Sequence, residues 1–455
     1  MARTDRWAAL VSVIAFATAA STPPVAAAED PVAPRLAPGE AAVELTEEDD
    51  PTLAARLDDY LAPIVAAGHL SGTLLIARGD TVVFEESWGF ADHDHRVVNR
   101  PDTRFCIASV TKPMTIALAA LLIEQRRLGV EDSLERFVPG FPAGDRITVS
   151  HLLDHQAGIV HRVTSEDEET VPFTAADIAE RARRRPLLFA PGERSEYSSA
   201  GFSVLARVLE LAGGKPFATL LDEQVLRPCG MGDTVDPADS AIVPNRARPY
   251  RLGPRGLSTT RLKDLSFLVG AGSVWSTPRD LLRLQRAVVR GRLGPIVPQA
   301  LDRTDGMRWN GVTGGFRCFV DHHKKADVTI VLCANLITGA LDLMQRDLPR
   351  LLAGLELPPP VVPAPVHVAA DPAAVAAVEG VYEMRPGSTM ELRRHVDGLL
   401  ANDWLLGSIG DGAYFSAQDY ATVRPRRDAT GAIVALDWSG LHGPASYPRV
   451  GPLPR

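Results

Sequence analysis

Ser109-Val110-Thr111-Lys112 places a hydroxyl and an amine three residues apart, and it is the only Ser-x-x-Lys in the 455-residue chain. On a helix that spacing puts both groups on one face, so the amine can take the hydroxyl proton and leave a nucleophilic alkoxide. The residue type sharpens the reading. Only five of the 48 basic residues are lysine. Arginine does not surrender its proton in a protein, whereas lysine can serve as a base.

Other groups of reactive side chains carry less. His151-Leu-Leu-Asp-His155 sets two imidazoles at i and i+4. A metallohydrolase helix sets its carboxylate directly after the first histidine, where Leu152 stands, and needs a third ligand elsewhere, so the segment reads as structural. Asp92-His-Asp-His95 reads as a polar loop after a strand, and Glu166-Asp-Glu-Glu169 as a solvated acidic loop. None of the four cysteines forms a Cys-x-x-Cys pair, so neither a zinc nor a redox site is expected. Cys318 and Cys333 fall on two halves of an expected hairpin, and both a disulfide and free buried thiols remain open for them. No metal and no organic cofactor is expected.

The elements that must carry Ser109 follow from periodicity. Leu53, Leu57, Leu61 and Ile64 recur at helical spacing. Gly72–Ala77 and Thr81–Trp88, joined by Arg78-Gly-Asp80, predict a strand hairpin. The Ser109 segment opens an apolar helix to about Glu124, and a largely helical region follows to about residue 290. Gly315–Ala334 returns to strand character and Leu341–Leu355 to helix. A proline-rich stretch then marks a stiff linker, followed by short alternating runs at Val381–Met384, Leu399–Trp404 and Val434–Trp438. Strands at both ends of a region with helices between them imply an antiparallel sheet covered by helices.

Several segments, in one order, resemble the serine β-lactamase and penicillin-binding protein family, in its class C and D-stereospecific peptidase/esterase branch. Phe105–Pro113 resembles the nucleophile segment, Ile147–Gly158 the helix after the first lobe, and Pro191–Phe202 the segment with a Tyr-x-Asn element. Pro228–Thr234 and Gly270–Asp280 resemble later segments, and Gly311-Val-Thr-Gly-Gly315 stands where a Lys/His-Thr-Gly element belongs. The match covers roughly residues 50–350.

The resemblance implies an α/β fold: a β-lactamase/DD-peptidase-like antiparallel sheet flanked by helices, with a helical lobe, followed by a small C-terminal β-barrel-like domain. It implies Ser109 as nucleophile, Lys112 as its activating partner and Tyr197 as the carrier of a proton to the leaving group. The amides of Ser109 and Gly315 would form the oxyanion hole. Ser199, Thr313, Gly314 and Arg317 would bind substrate. Two departures stand out. Ser199 replaces the asparagine of the Tyr-x-Asn element, and Val312 stands in place of the basic residue before Thr-Gly. Thr313, Gly315 and Arg317 are two apart and would share a strand face, so Arg317 is expected to restore the cation at the cleft. The alternative for Arg317 is that it reaches solvent or packs on a neighbouring helix. Trp309, near the expected cleft strand, is the one aromatic singled out.

Composition sets the context. A net charge of −8 excludes a polybasic surface for nucleic acid or anionic membrane. Residues 1–28 read as an export signal: a basic start at Arg3 and Arg6, an apolar run from Trp7 to Ala20, and Ala26-Ala-Ala28 as cleavage site. The expected organisation is then a leader over 29–50, a serine hydrolase domain over 51–356, a linker over 357–369 and a small all-β, lipocalin-like domain over 370–455. The expected protein is an exported serine hydrolase, periplasmic or extracellular, with no stable membrane insertion. It would act through an acyl-enzyme on D-amino-acid peptides, peptidoglycan fragments or small esters and amides. The alternatives are a catalytically impaired ligand-binding or regulatory protein and, behind it, a β-lactamase.

Overall fold

The computed structural model describes residues 50–237, 242–253, 256–301, 306–363, 372–395, 398–402, 404–441 and 443–453. The expected export signal lies outside these residues. The catalytic region is built on a five-stranded antiparallel sheet of β1 (Gly72–Arg78), β2 (Thr81–Trp88), β3 (Gly306–Thr313), β4 (Phe316–His323) and β5 (Val328–Ala334), in the order β2-β1-β5-β4-β3. Strands β1 and β5 lie at its centre and are apolar on both faces, as burial on both sides requires. Leu75 and Ala77 enter the core shared with the helical lobe. Leu74 and Ile76 enter the core beneath α1 (Asp50–Ala66) and α4 (Gly339–Leu352).

The helical lobe is organised by two helices. One is α2 (Thr111–Glu124), which begins two residues after Ser109 and is buried along most of its length. The other is α3 (Ser199–Gly213), capped by the Ser198 hydroxyl, which accepts from the Gly201 amide at 2.8 Å. It ends at Gly214 in the left-handed conformation, φ 68°.

Strand β3 was not expected from the sequence. It is the edge strand that faces Ser109, and it pairs with β4 so that Thr313 opposes Phe316, Gly311 opposes Cys318 and Trp309 opposes Val320. The two-residue turn between them is Gly314-Gly315, with φ of 49° and 98°. Paired positive φ values suit a tight hairpin and suit glycine.

The C-terminal region is a closed eight-stranded antiparallel barrel over Gly380–Gly451. Tyr382, Leu392, Leu399, Leu406, Val423 and Leu436 fill it, so its interior is a side-chain core. The run Leu399–Trp404 is not one strand but the junction of two, Gly398–Ala401 and Trp404–Gly410. The barrel docks on the catalytic region at the N-terminus of α4. There the Gly339 amide donates to Ala417 O at 3.0 Å, and a Cβ at Gly339 would lie 2.7 Å from the Tyr420 amide nitrogen. The Tyr420 hydroxyl meets His69 Nδ1 at 3.1 Å. No helix among the described residues is long and apolar enough to cross a membrane.

Candidate active site

Ser109 stands on a single tight turn leading into α2. The turn holds Ala108 at φ 47°, a conformation that costs a non-glycine residue energy and recurs at functional sites. Around the Ser109 hydroxyl two groups converge. Tyr197 Oη lies 2.6 Å from Ser109 Oγ, and Lys112 Nζ donates to the same oxygen at 3.2 Å. Lys112 is 5% exposed. Its remaining directions are taken by the Ala271 carbonyl at 2.9 Å and the Ser199 hydroxyl at 3.5 Å. Its amine also lies over the rings of Tyr197 and Phe202, 4.6 and 5.5 Å from their centroids. No carboxylate is among these partners, so the amine is oriented by neutral acceptors.

Each of these groups is fixed by local chemistry. Tyr197 and Ser199 flank the Ser198 cap, whose hydroxyl also donates to Val160 O at 2.9 Å. The Ala271 carbonyl is delivered by a loop that fits tightly on α3. A Cβ at Gly270 would lie 2.7 Å from that of Ala206, and Thr115 Oγ1 donates to Gly270 O at 2.6 Å. The segment Gly270–Asp280 thereby supplies an acceptor for Lys112.

Behind Tyr197 stand two imidazoles that the sequence did not mark as site residues. The rings of His155 and His161 lie 4.7 and 5.5 Å from that of Tyr197. The Ser198 amide donates to His155 Nδ1 at 3.2 Å and the Ser199 amide to His161 Nδ1 at 3.3 Å. Burial, reinforced by the nearby Lys112 and His161, pushes the His155 imidazole down to about 3. It is therefore neutral at physiological pH and serves as a polar wedge under the tyrosine. His151, its partner in the i, i+4 pair, instead completes the cap of its own helix with Thr148. No group of three or more potential metal ligands occurs among the described residues.

The strand that walls the cleft differs from expectation. The glycine against the Ser109 turn is Gly311: a Cβ there would lie 2.2 Å from Ile107 O and 2.9 Å from the Ser109 amide nitrogen. Gly315 is in the hairpin turn instead, packed against Pro249, Tyr250 and Thr260. Gly314, beside it, accepts from Thr260 Oγ1 at 2.9 Å through its carbonyl. In a two-residue hairpin the pair flanking the turn exchanges ladder bonds, and the alternation continues along the strand. Thr313, Gly311 and Trp309 thus turn their amides toward β4, and the amides of Val312 and Asn310 face the free edge.

Side chains alternate on the same register. Trp309, Gly311 and Thr313 share the face toward Ser109. Val312 opposes Arg317 and shares its direction, away from Ser109. The expectation for Arg317 is therefore corrected. It is 4% exposed and donates to Asp342 at 3.0 Å and to Gln345 at 2.8 Å, both on α4. The two-residue rule that aligned Thr313 with Arg317 fails because the chain reverses between them.

The acidic loop is also not fully solvated. Glu169 is completely buried and accepts from Lys263 at 2.7 Å, Thr164 at 3.1 Å and Arg162 at 3.3 Å. Asp167 pairs with Arg261 at 2.6 Å. Residues 260–264 therefore run from the β3–β4 turn, through Thr260, to the acidic loop, through Lys263. The four cysteines are free, buried thiols, with the sulfurs of Cys318 and Cys333 3.5 Å apart.

Known proteins share this arrangement of segments. The chain is 29% identical over 244 residues to the D-alanyl-D-alanine-carboxypeptidase/endopeptidase AmpH of Escherichia coli, covering 51% of this chain and 62% of that one. It is 32% identical over 205 residues to Esterase EstB of Burkholderia gladioli, covering 41% and 52%. The chain thus spans between half and two thirds of the length of these curated relatives. A penicillin-binding protein from Bacillus halodurans, solved by crystallography, superimposes with a TM-score of 0.56 at 25% identity, over 63% of this chain and 98% of that one. Across residues 57–338 the sequence matches the model of the Beta-lactamase family, and the chain belongs to that family of serine hydrolases.

Proposed function

We propose that this protein hydrolyses neutral carboxylic esters and amides through an acyl-enzyme on Ser109. The observation that carries the reading is the convergence of Tyr197 Oη and Lys112 Nζ on Ser109 Oγ, at 2.6 and 3.2 Å. Ser109 Oγ attacks the acyl carbon, and its proton passes to the Tyr197–Lys112 pair. The carbonyl oxygen gains the negative charge, which the amides of Ser109 and Val312 stabilise; the free-edge orientation of Val312 supports that role, in place of Gly315. Collapse of the tetrahedral intermediate breaks the bond to the leaving alcohol or amine, which takes the proton back through Tyr197. Water then attacks the Ser109 ester, loses a proton to the same pair and releases the acid.

The preference for neutral substrates rests on charge. The face of β3 toward the nucleophile presents Trp309, Gly311 and Thr313, with no cation to grip a substrate carboxylate. Arg162, Lys263 and Arg261 are engaged with Glu169 and Asp167. Thr313, on the cleft face, and Ser199, on Lys112, remain the proposed contacts to substrate; Gly314 serves by forming the turn. Export is part of the reading and rests on the order of basic, apolar and small residues over 1–28.

The test is hydrolysis of p-nitrophenyl butyrate by wild type beside Ser109→Ala, with intact-mass detection of the butyryl adduct. Turnover and adduct in wild type, both lost in Ser109→Ala, are expected. Equal background rates with no adduct in either protein would refute catalysis and favour a binding protein that has kept the fold.

A further inference from the structure

Beneath the cleft strand, on the face of the sheet turned away from Ser109, one side chain has its hydrogen-bonding capacity engaged by two strands. Gln345 of α4 donates through Nε2 to Asn310 Oδ1 at 2.9 Å and to both carboxylate oxygens of Asp321 at 3.2 and 3.1 Å. Its Oε1 accepts from Arg317 Nη2 at 2.8 Å, and that nitrogen also reaches Asp342 at 3.0 Å. Asn310 is on β3, while Arg317 and Asp321 are on β4. Gln345 thus ties the edge strand and its neighbour to one helix. Phe319, between Arg317 and Asp321 on the same strand, is packed in the core beneath α4.

The position of Asn310 gives this network functional meaning. It directly precedes Gly311, whose Cα backbone is the part of β3 pressed against the Ser109 amide, and it is two residues before Val312. An edge strand is held laterally by one ladder only. Its outer amides are placed by that ladder and by whatever side chains anchor the strand from the sheet face. Oxyanion donors must lie within a few tenths of an ångström of their productive position to deliver their full effect. We infer that Gln345 is a positioning residue for the reaction: through Asn310 it sets the lateral position of β3, and so the Val312 amide relative to Ser109. Binding of the substrate ground state does not depend on this placement, whereas the charged tetrahedral state does.

This inference rests on the reading of Ser109 as nucleophile, and its test separates the two. Wild type, Gln345→Met, Asn310→Ala and the double variant are each titrated with a fluorophosphonate, which counts reactive Ser109. They are then assayed for p-nitrophenyl butyrate turnover per titrated site and for inhibition by a phenylboronic acid, a tetrahedral-state mimic. Gln345→Met should lower kcat about 10- to 100-fold with KM unchanged, and weaken the boronate by a similar factor. The double variant should be no worse than the worse single, because both remove one link. Thermal stability is read alongside. A variant that loses stability but keeps wild-type kcat per titrated site and wild-type boronate affinity would overturn the inference and leave Gln345 a purely structural residue. So would additive effects of Gln345→Met and Asn310→Ala. Failure of wild type to label with fluorophosphonate or to turn over ester would instead overturn the reading of Ser109, and the inference with it.

Discussion

Gly311→Ala tests whether β3 and the nucleophile turn form one rigid unit. The added methyl would lie 2.2 Å from Ile107 O, 2.9 Å from the Ser109 amide nitrogen and 3.1 Å from that of Val110, where ordinary contact begins near 3.4 Å. All three neighbours are backbone, so no side chain can swing aside. Relief requires the strand and the turn to separate by about 1 Å, and a displacement of that size at the reacting groups costs about 100-fold in rate. That is about 2.7 kcal/mol of transition-state stabilisation. Overpacking should cost a further ~1–3 kcal/mol of stability. The assay is kcat/KM for p-nitrophenyl butyrate, normalised to fluorophosphonate-titrated sites, with urea denaturation in parallel. Gly232→Ala is the control, because its Cβ would meet nothing within 4 Å. Gly311→Ala with activity within about threefold of wild type would show that the cleft accommodates a side chain there, and the derived position of the oxyanion strand would be wrong.

Two further outcomes follow from buried charge. Arg317→Met breaks a buried ion pair with Asp342 and should destabilise the fold by about 3 kcal/mol. The ratio of KM values for an anionic and a neutral ester should not change, and a selective rise for the anionic ester would return Arg317 to the cleft. His155 is held down to about 3 from an ordinary 6.5, so below pH 6.5 the unfolded chain binds a proton that the folded one refuses. Its contribution to stability is complete above 6.5 and is lost as pH falls toward 3, by about 4–5 kcal/mol in all. Asp321 and Asp236, pushed up to about 6 by burial, act in the opposite sense over about 4–6. The difference between wild type and His155→Phe in urea melts from pH 7 to 4 isolates the histidine. A difference that does not shrink as pH falls would contradict a buried neutral ring.

The sequence by itself carried the pairing of the Ser109 hydroxyl with the Lys112 amine, the proposed nucleophile and its base, because the two are neighbours on one helical turn and their geometry is set by local hydrogen bonding. It also carried the β1–β2 hairpin and the β4–β5 pair, whose apolar runs have the strand period. Tyr197 and Ser199 were legible only as members of an ordered set of family segments, since 88 residues separate Tyr197 from Ser109.

What the sequence misassigned lies where the chain turns back or where burial depends on distant partners. Gly306-Met-Arg-Trp-Asn-Gly-Val-Thr313 has two glycines and mixed polarity, and it is a strand because β4 supplies its ladder and the nucleophile turn packs on its glycine. Alternation counted through Gly314-Gly315 put Arg317 in the cleft, but a hairpin resets the count. Glu169 reads as one acid among four, and its burial draws on Lys263, 94 residues away, as well as on the nearby Arg162 and Thr164. Short-range periodicity is written in neighbouring residues. The facing of an edge strand and the burial of a charge are decided by partners that only the folded chain brings together.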